Sequence, residues 1–132
     1  MQTFSEYYEK EIQPQIEAID LYLKTEDPPY TVEVVCALLK ISEEEGRAFL
    51  EKEKLVLITK GIFFRMLENG SAPLCGMFRR ALECNLPEKY TAEQAAYIFD
   101  LDAAAVKEVA KKIGTDTFTE KMLPQLFENI ML

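Results

Sequence analysis

Apolar positions along the chain recur at helical spacing almost throughout. Residues 3–24 place Phe4, Tyr8, Ile12, Ile16, Ile19 and Leu23 on one stripe, with a kink expected at Pro14. After Thr31, Val35, Leu38 and Leu39 form the buried side of a short helix, and Ile41 lies in the turn that follows. Ser42, with Glu45 three residues on, reads as a capping box for the next helix. The segment LVLITKGIFFRML admits a hairpin with its tip at Lys60-Gly61. Ile62, Phe63, Met66 and Leu67 nevertheless share one helical face, and Asn69-Gly70 is an ordinary helix stop, so a helix is expected. Residues 72–85, after a Ser71 cap, carry Leu74, Met77, Phe78, Ala81 and Leu82. Pro28-Pro29 and Leu86-Pro87 punctuate the chain.

Sliding the sequence over itself produces one clear self-match, at an offset of 60. Tyr30-Thr31-Val32-Glu33 meets Tyr90-Thr91-Ala92-Glu93, and Val35, Leu38, Leu39 and Ile41 meet Ala95, Ile98, Phe99 and Leu101. The apolar pattern persists without a gap over about 38 positions, through Phe63 with Leu123 and Leu67 with Phe127. Asp102 takes the cap that Ser42 takes in the first copy. Thr117 and Glu120 read as a capping box for a last helix bearing Met122, Leu123, Leu126, Phe127 and Ile130. That helix should begin close to Pro124, which only a first turn tolerates. The expected fold is therefore all-α, with about eight helices in one domain, 1–132. An N-terminal helix (1–29) precedes a first three-helix repeat (30–70), a bridging helix (71–89) and a second repeat (90–132).

Composition narrows the chemistry. The chain of 132 residues has no histidine, which removes the usual general base near neutral pH. It has no phosphate-binding glycine loop, and its many carboxylates are what a helical chain with 23 acidic residues presents by chance. No enzyme activity and no cofactor are expected. Cys36, Cys75 and Cys84 are odd in number and lack metal-ligand spacing, so free thiols are expected rather than disulfides or a metal site. The longest apolar run, Val34 to Leu39, is far short of the roughly 18 residues of a membrane span, and the first residues lack a signal-peptide pattern. A cytoplasmic protein without a membrane partner is the expectation.

Charge is uneven. The chain carries a net charge of −8, distributed as −5 over residues 1–29, −1 over 30–69, +1 over 70–89 and −3 over 90–132. Such a surface repels a phosphate backbone.

Tyr30 to Leu55 resembles the helix-turn-helix of the MerR and phage-excisionase superfamily. Tyr30, Thr31, Glu33, Val35, Leu38, Leu39, Ile41, Ser42, Arg47, Phe49 and Leu55 stand at matching places, and Tyr90 to Ile113 matches more weakly. The resemblance implies a helix-turn-helix shape; on function it is far less specific. Four departures bear on function. The family's turn glycine is Lys40 in one copy and Asp100 in the other, and Gly46 stands where the family buries a branched residue, so loose packing is expected there. The second helix, which in DNA readers of this type contacts base edges, opens here with Ser42-Glu43-Glu44-Glu45 and, in the second copy, with Asp102-Ala103-Ala104-Ala105. The family's basic wing is expected to be replaced by a helix.

Arg79 and Arg80 on the bridging helix, with Lys89, form a locally positive stretch. Lys107 and Lys111 are one helical turn apart, with Lys112 beside them. Each group reads either as a solvated face or as a contact for an acidic partner or nucleic acid. The apolar end, Ile130-Met131-Leu132, either packs within the chain, the favoured reading, or forms half of a dimer contact. The primary expectation is a non-catalytic regulatory module that binds another protein, in a regulatory or phage-related setting. The alternative is a DNA-binding transcription regulator using Lys107, Lys111, Lys112, Arg79 and Arg80; homodimerisation is open in either case.

Overall fold

Helix starts follow the threonine, serine and aspartate caps that the sequence supplies. The structure, a computed structural model, describes residues 2–132. Thr3 caps α1 (Phe4–Tyr7) through a full capping box with Glu6. A π turn over Tyr8–Ile12 follows, then α2 (Gln13–Thr25). Pro14 sits in the first turn of α2, where proline is tolerated, and the irregularity expected there lies one turn earlier. A π turn holds more residues than an α turn and rotates every later side chain. Ile16, expected on the buried stripe, is 39% exposed. Gln15 takes the buried place and donates from Nε2 to the Leu38 carbonyl at 2.9 Å.

The remaining helices are α3 (Val32–Leu39), α4 (Glu43–Lys52), α5 (Lys60–Asn69), α6 (Pro73–Glu83), α7 (Ala92–Phe99), α8 (Ala103–Ile113) and α9 (Leu123–Glu128). The protein is all-α apart from one antiparallel pair, β1 (Lys89–Thr91) with β2 (Thr117–Thr119), which the helical reading missed. The chain divides into two compact units, one continuous, Gln13–Arg79, and one split, combining Met1–Ile12 with Arg80–Leu132.

In the continuous unit, Thr31, Ser42 and Thr59 each accept a backbone N–H at the start of α3, α4 and α5. Residues 60–69 are helical, and no hairpin forms at Lys60-Gly61. The core gathers Ile19, Val35, Leu39, Ile58, Phe63, Met66 and Leu67, with Leu74, Cys75 and Met77 from α6. Two sequence expectations are corrected here, and one residue accounts for both. Glu45 does not return to the Ser42 N–H; its carboxylate accepts the Ser71 N–H at 2.9 Å and the Ser71 hydroxyl at 2.5 Å. Ser71 is thereby engaged and caps nothing, and α6 starts at Pro73.

Gly46, expected to leave α4 loosely packed, marks a close approach. A Cβ built there would lie 2.3 Å from Cys36 Sγ, and one at Gly70 would lie 2.5 Å from Cys75 Sγ. Each buried cysteine fills the space that a glycine leaves.

In the split unit, Phe4, Tyr8, Phe99 and Phe127 form an aromatic cluster with centroids 4.8–6.3 Å apart. Ile98, Val106, Phe118, Leu126 and Ile130 complete the core. Thr117, read as a helix cap, lies in β2, because its neighbour Phe118 is fully buried through pairing with Tyr90. A 3-10 turn over Glu120–Met122 leads into α9, with Pro124 in its first turn. The C-terminal backbone closes on the other end of this unit. Phe4 N–H donates to Ile130 at 2.8 Å and Leu132 N–H donates to Gln2 at 2.9 Å. Ile130 is buried there, while the side chains of Met131 and Leu132 are exposed.

Candidate interaction surface

Helices α3 and α4 are joined by a tight turn. Lys40 adopts the left-handed conformation, φ 58°, and Ile41 N–H closes onto the Cys36 carbonyl at 3.1 Å. Helices α7 and α8 are joined by the same device: Asp100 has φ 55°, and Leu101 N–H bonds Ala96 at 2.8 Å. Further features recur 60 positions apart. Thr31 and Thr91 are caps, as are Ser42 and Asp102. Tyr30 pairs antiparallel with Ile58, and Tyr90 with Phe118. Arg47 meets Glu33 at 2.9 Å, and Lys107 meets Glu93 at 3.5 Å. Lys54 and Gly114 are both left-handed after the second helix.

Three of the six predicted contact residues are already engaged. Half-buried Arg79 donates from Nη1 to the carbonyls of Glu68 at 2.8 Å and Gly70 at 3.4 Å, closing the C-terminal end of α5. Arg80, also half-buried, donates from Nε to Ile98 C=O at 3.1 Å in the last turn of α7. These guanidiniums satisfy helix-end carbonyls, where cations are favoured. Lys107 is matched by Glu93, whose carboxyl is held below its usual range by its own backbone N–H and then by Lys107. Lys89 is exposed on β1. Lys111 and Lys112 are exposed on the last turn of α8, with no ion pair among the described residues.

At the start of α4, Glu43 and Glu44 face solvent. Arg47, one turn on, is bound to Glu33 and lies 4.0 Å from Glu43. A polyanion approaching this helix start meets carboxylates first, and the one arginine nearby is neutralised.

The sequence reading missed a second feature. Between α4 and α5 the chain turns at left-handed Lys54, and Val56 (90% exposed) and Leu57 (61%) project into solvent. Exposed Lys52, Lys54 and Lys60 flank them, and Glu53 is tied to Arg65. The basic character was hidden because Glu51 and Glu53 alternate with the lysines, while residues 52–60 still carry net +2. The signal lay in the apolar run Leu55 to Ile58, which only its mix of buried and exposed positions separates from a core segment.

The thiols of Cys36 and Cys75 are buried, and burial raises both above a thiol's ordinary range. Among the described residues no group of three or more Cys, Asp or Glu is placed to hold a metal ion, and no helix is long and apolar enough to cross a membrane. Compared with family models, with curated proteins and with solved structures, the chain finds no match.

Proposed function

We propose that this chain is a non-catalytic helical module built from two tandem, degenerate helix-turn-helix-like repeats, and that it acts by binding another protein in a regulatory or phage-related setting. The observation that carries this reading is the start of α4. The helix that in the resembled DNA readers contacts base edges opens here with Glu43, Glu44 and Glu45, and Glu33 neutralises Arg47 beside it. The engagement of Arg79 and Arg80 by helix-end carbonyls supports the same reading, because each guanidinium already serves the fold. The features recurring 60 residues apart support the duplication.

One observation favours a second reading, a DNA-binding regulator: Lys111 and Lys112 are exposed and unpaired among the described residues. Titrating a labelled random duplex at low ionic strength separates the two. No anisotropy change is expected. Binding that falls with added salt and is lost in Lys111→Glu/Lys112→Glu would replace the protein-binding reading by the DNA-binding one. Affinity capture with wild-type and Glu43→Lys/Glu44→Lys bait tests the positive side. A stoichiometric protein retained by the first and lost by the second is expected.

A further inference from the structure

Between α4 and α5 a two-residue tip stands out from a fixed base. Leu55 N–H closes onto the Leu50 carbonyl at 2.8 Å, and Tyr30 N–H donates to the carbonyl of buried Ile58 at 2.9 Å. Val56 and Leu57 project between these anchors. The fold does not require aliphatic side chains there. Tyr90 pairs with Phe118 as Tyr30 pairs with Ile58, and the residues standing in place of Val56 and Leu57 are Asp116 and Thr117. An adjacent apolar pair held out by backbone bonds, at a place that accepts polar residues, marks a contact rather than a core.

Cations surround the pair. Exposed Lys52 and Lys54 precede it, and exposed Lys60 follows it. The carboxylates in this stretch are Glu51 and Glu53, and Glu53 is bound to Arg65. Residues 51–60 together with Arg65 therefore carry four cations against two anions, net +2. Glu43 and Glu44 lie at the other end of α4, about 12 Å away along its axis. Charges beyond about 10 Å are screened at ordinary ionic strength, so neither they nor the net charge of −8 cancels the local field.

Such a set of side chains is a poor match for a protein partner. Protein hot spots are rich in Trp, Tyr and Arg and poor in Leu and Val, and lysine is depleted from interfaces. An anionic lipid surface suits it better. Short aliphatic side chains enter the acyl boundary, while lysine stems lie along apolar matter and keep their ammonium groups at the phosphates. We infer that the tip is a peripheral membrane contact, which inserts Val56 and Leu57 into an anionic bilayer while Lys52, Lys54 and Lys60 engage the headgroups. The expectation of no membrane partner rested on span length, and a contact lying in the bilayer surface needs no span. Two aliphatic side chains bury less than one acyl chain, so the contact is weak and reversible and needs its apolar and cationic parts together. This inference is independent of the proposed function, which concerns the start of α4 and a protein partner.

Co-sedimentation of the chain with lipid vesicles tests it. At low ionic strength the chain should pellet with equimolar phosphatidylserine and phosphatidylcholine, stay in the supernatant with phosphatidylcholine alone, and be released by added salt. Val56→Asp/Leu57→Asp and Lys52→Glu/Lys60→Glu should each weaken binding by at least about tenfold. Circular dichroism should stay unchanged, since all four residues are exposed. Lys111→Glu/Lys112→Glu, on α8, should leave binding unaltered. The chain has no tryptophan, so Leu57→Trp reports the tip alone, and its emission should shift to the blue with the anionic vesicles. A chain that never pellets overturns the inference. Pelleting indifferent to the tip substitutions does so too, as does tryptophan emission that stays unshifted while the chain pellets. A salt-sensitive complex with a DNA duplex, lost in Lys52→Glu/Lys60→Glu and formed without vesicle binding, would give the tip to nucleic acid and also overturns it.

Discussion

Glycine 46 and cysteine 36 should behave as one unit of volume. Gly46 lies inside α4, where glycine costs about 1 kcal/mol relative to alanine. Helix propensity alone therefore predicts that Gly46→Ala stabilises. Packing predicts the reverse, because the new methyl would sit 2.3 Å from Cys36 Sγ, well inside the roughly 3.5–4.0 Å of an ordinary contact. Cys36 is buried and cannot yield into solvent. Overpacking of this kind costs about 1–3 kcal/mol, so the single variant should lose about 1 kcal/mol net. Cys36→Ala alone removes a buried sulfur and should also cost about 1 kcal/mol. With the sulfur gone, the nearest atoms to the new methyl are Met66 Cε and Val32 Cγ2, both 3.5 Å away in ordinary contact. The double variant should return to within about 1 kcal/mol of the parent, with a coupling of about 1–2 kcal/mol. Helices α7 and α8 carry the reverse sizes at the positions 60 residues on: Ala96 is small and Val106, fully buried, is large. Urea unfolding followed by circular dichroism at 222 nm completes the cycle, since with an m value of about 1–3 kcal/mol/M a change of about 1 kcal/mol moves the midpoint by about 0.3–1 M. Additive single effects, with coupling below about 0.5 kcal/mol, would refute the claim that the two positions share one space.

Arg80→Met keeps the aliphatic stem but leaves the Ile98 carbonyl without its charged donor, and should lower stability by about 1–2 kcal/mol in the same unfolding assay; an unchanged midpoint would return Arg80 to the pool of free cations. Asp100→Gly relieves a side chain held at φ 55° and should stabilise by up to about 1 kcal/mol, read as a raised melting temperature, whereas a loss would mean that the Asp100 side chain makes a contact of its own. Burial raises the thiols of Cys36 and Cys75, so the unfolded chain releases these protons at lower pH than the folded one. Stability should hold up to about pH 8.5 and fall above it, and Cys75→Ala should flatten that fall; a midpoint constant to pH 10 in the parent would contradict the assignment.

The fold was legible where one residue decides one local geometry. Thr31, Ser42, Thr91 and Asp102 cap helices because each oxygen needs only a backbone N–H three residues on. It was illegible where a side chain had two partners to choose from. Glu45 could close its own capping box or reach Ser71, 26 residues away, and only tertiary structure selects the second. Thr117 opens a capping-box pattern as good as any other, yet burial of Phe118 beside it draws the segment into a strand. The phase error at Ile16 has one cause, a π turn, which leaves no mark in hydrophobic spacing until the downstream face has already rotated.

Charge was the least legible property, because a sequence counts charges and a surface presents only those left over. Arg79, Arg80 and Lys107 made the chain look cationic at two places, and all three have partners. Lys52, Lys54 and Lys60 were masked in the sequence by the interleaved Glu51 and Glu53, although Glu53 is bound to Arg65 and the lysines remain exposed. On the duplication proposed here, the two copies share their caps, their left-handed turns and the ion pair between their helices. They differ at the starts of α4 and α8, three glutamates against three alanines, and at the tips, Val56-Leu57 against Asp116-Thr117. The shared positions are those that hold the shape. The divergent ones are those that a partner would touch, which places any contact specific to this chain on α4 and the tip rather than on the arginines that first drew attention.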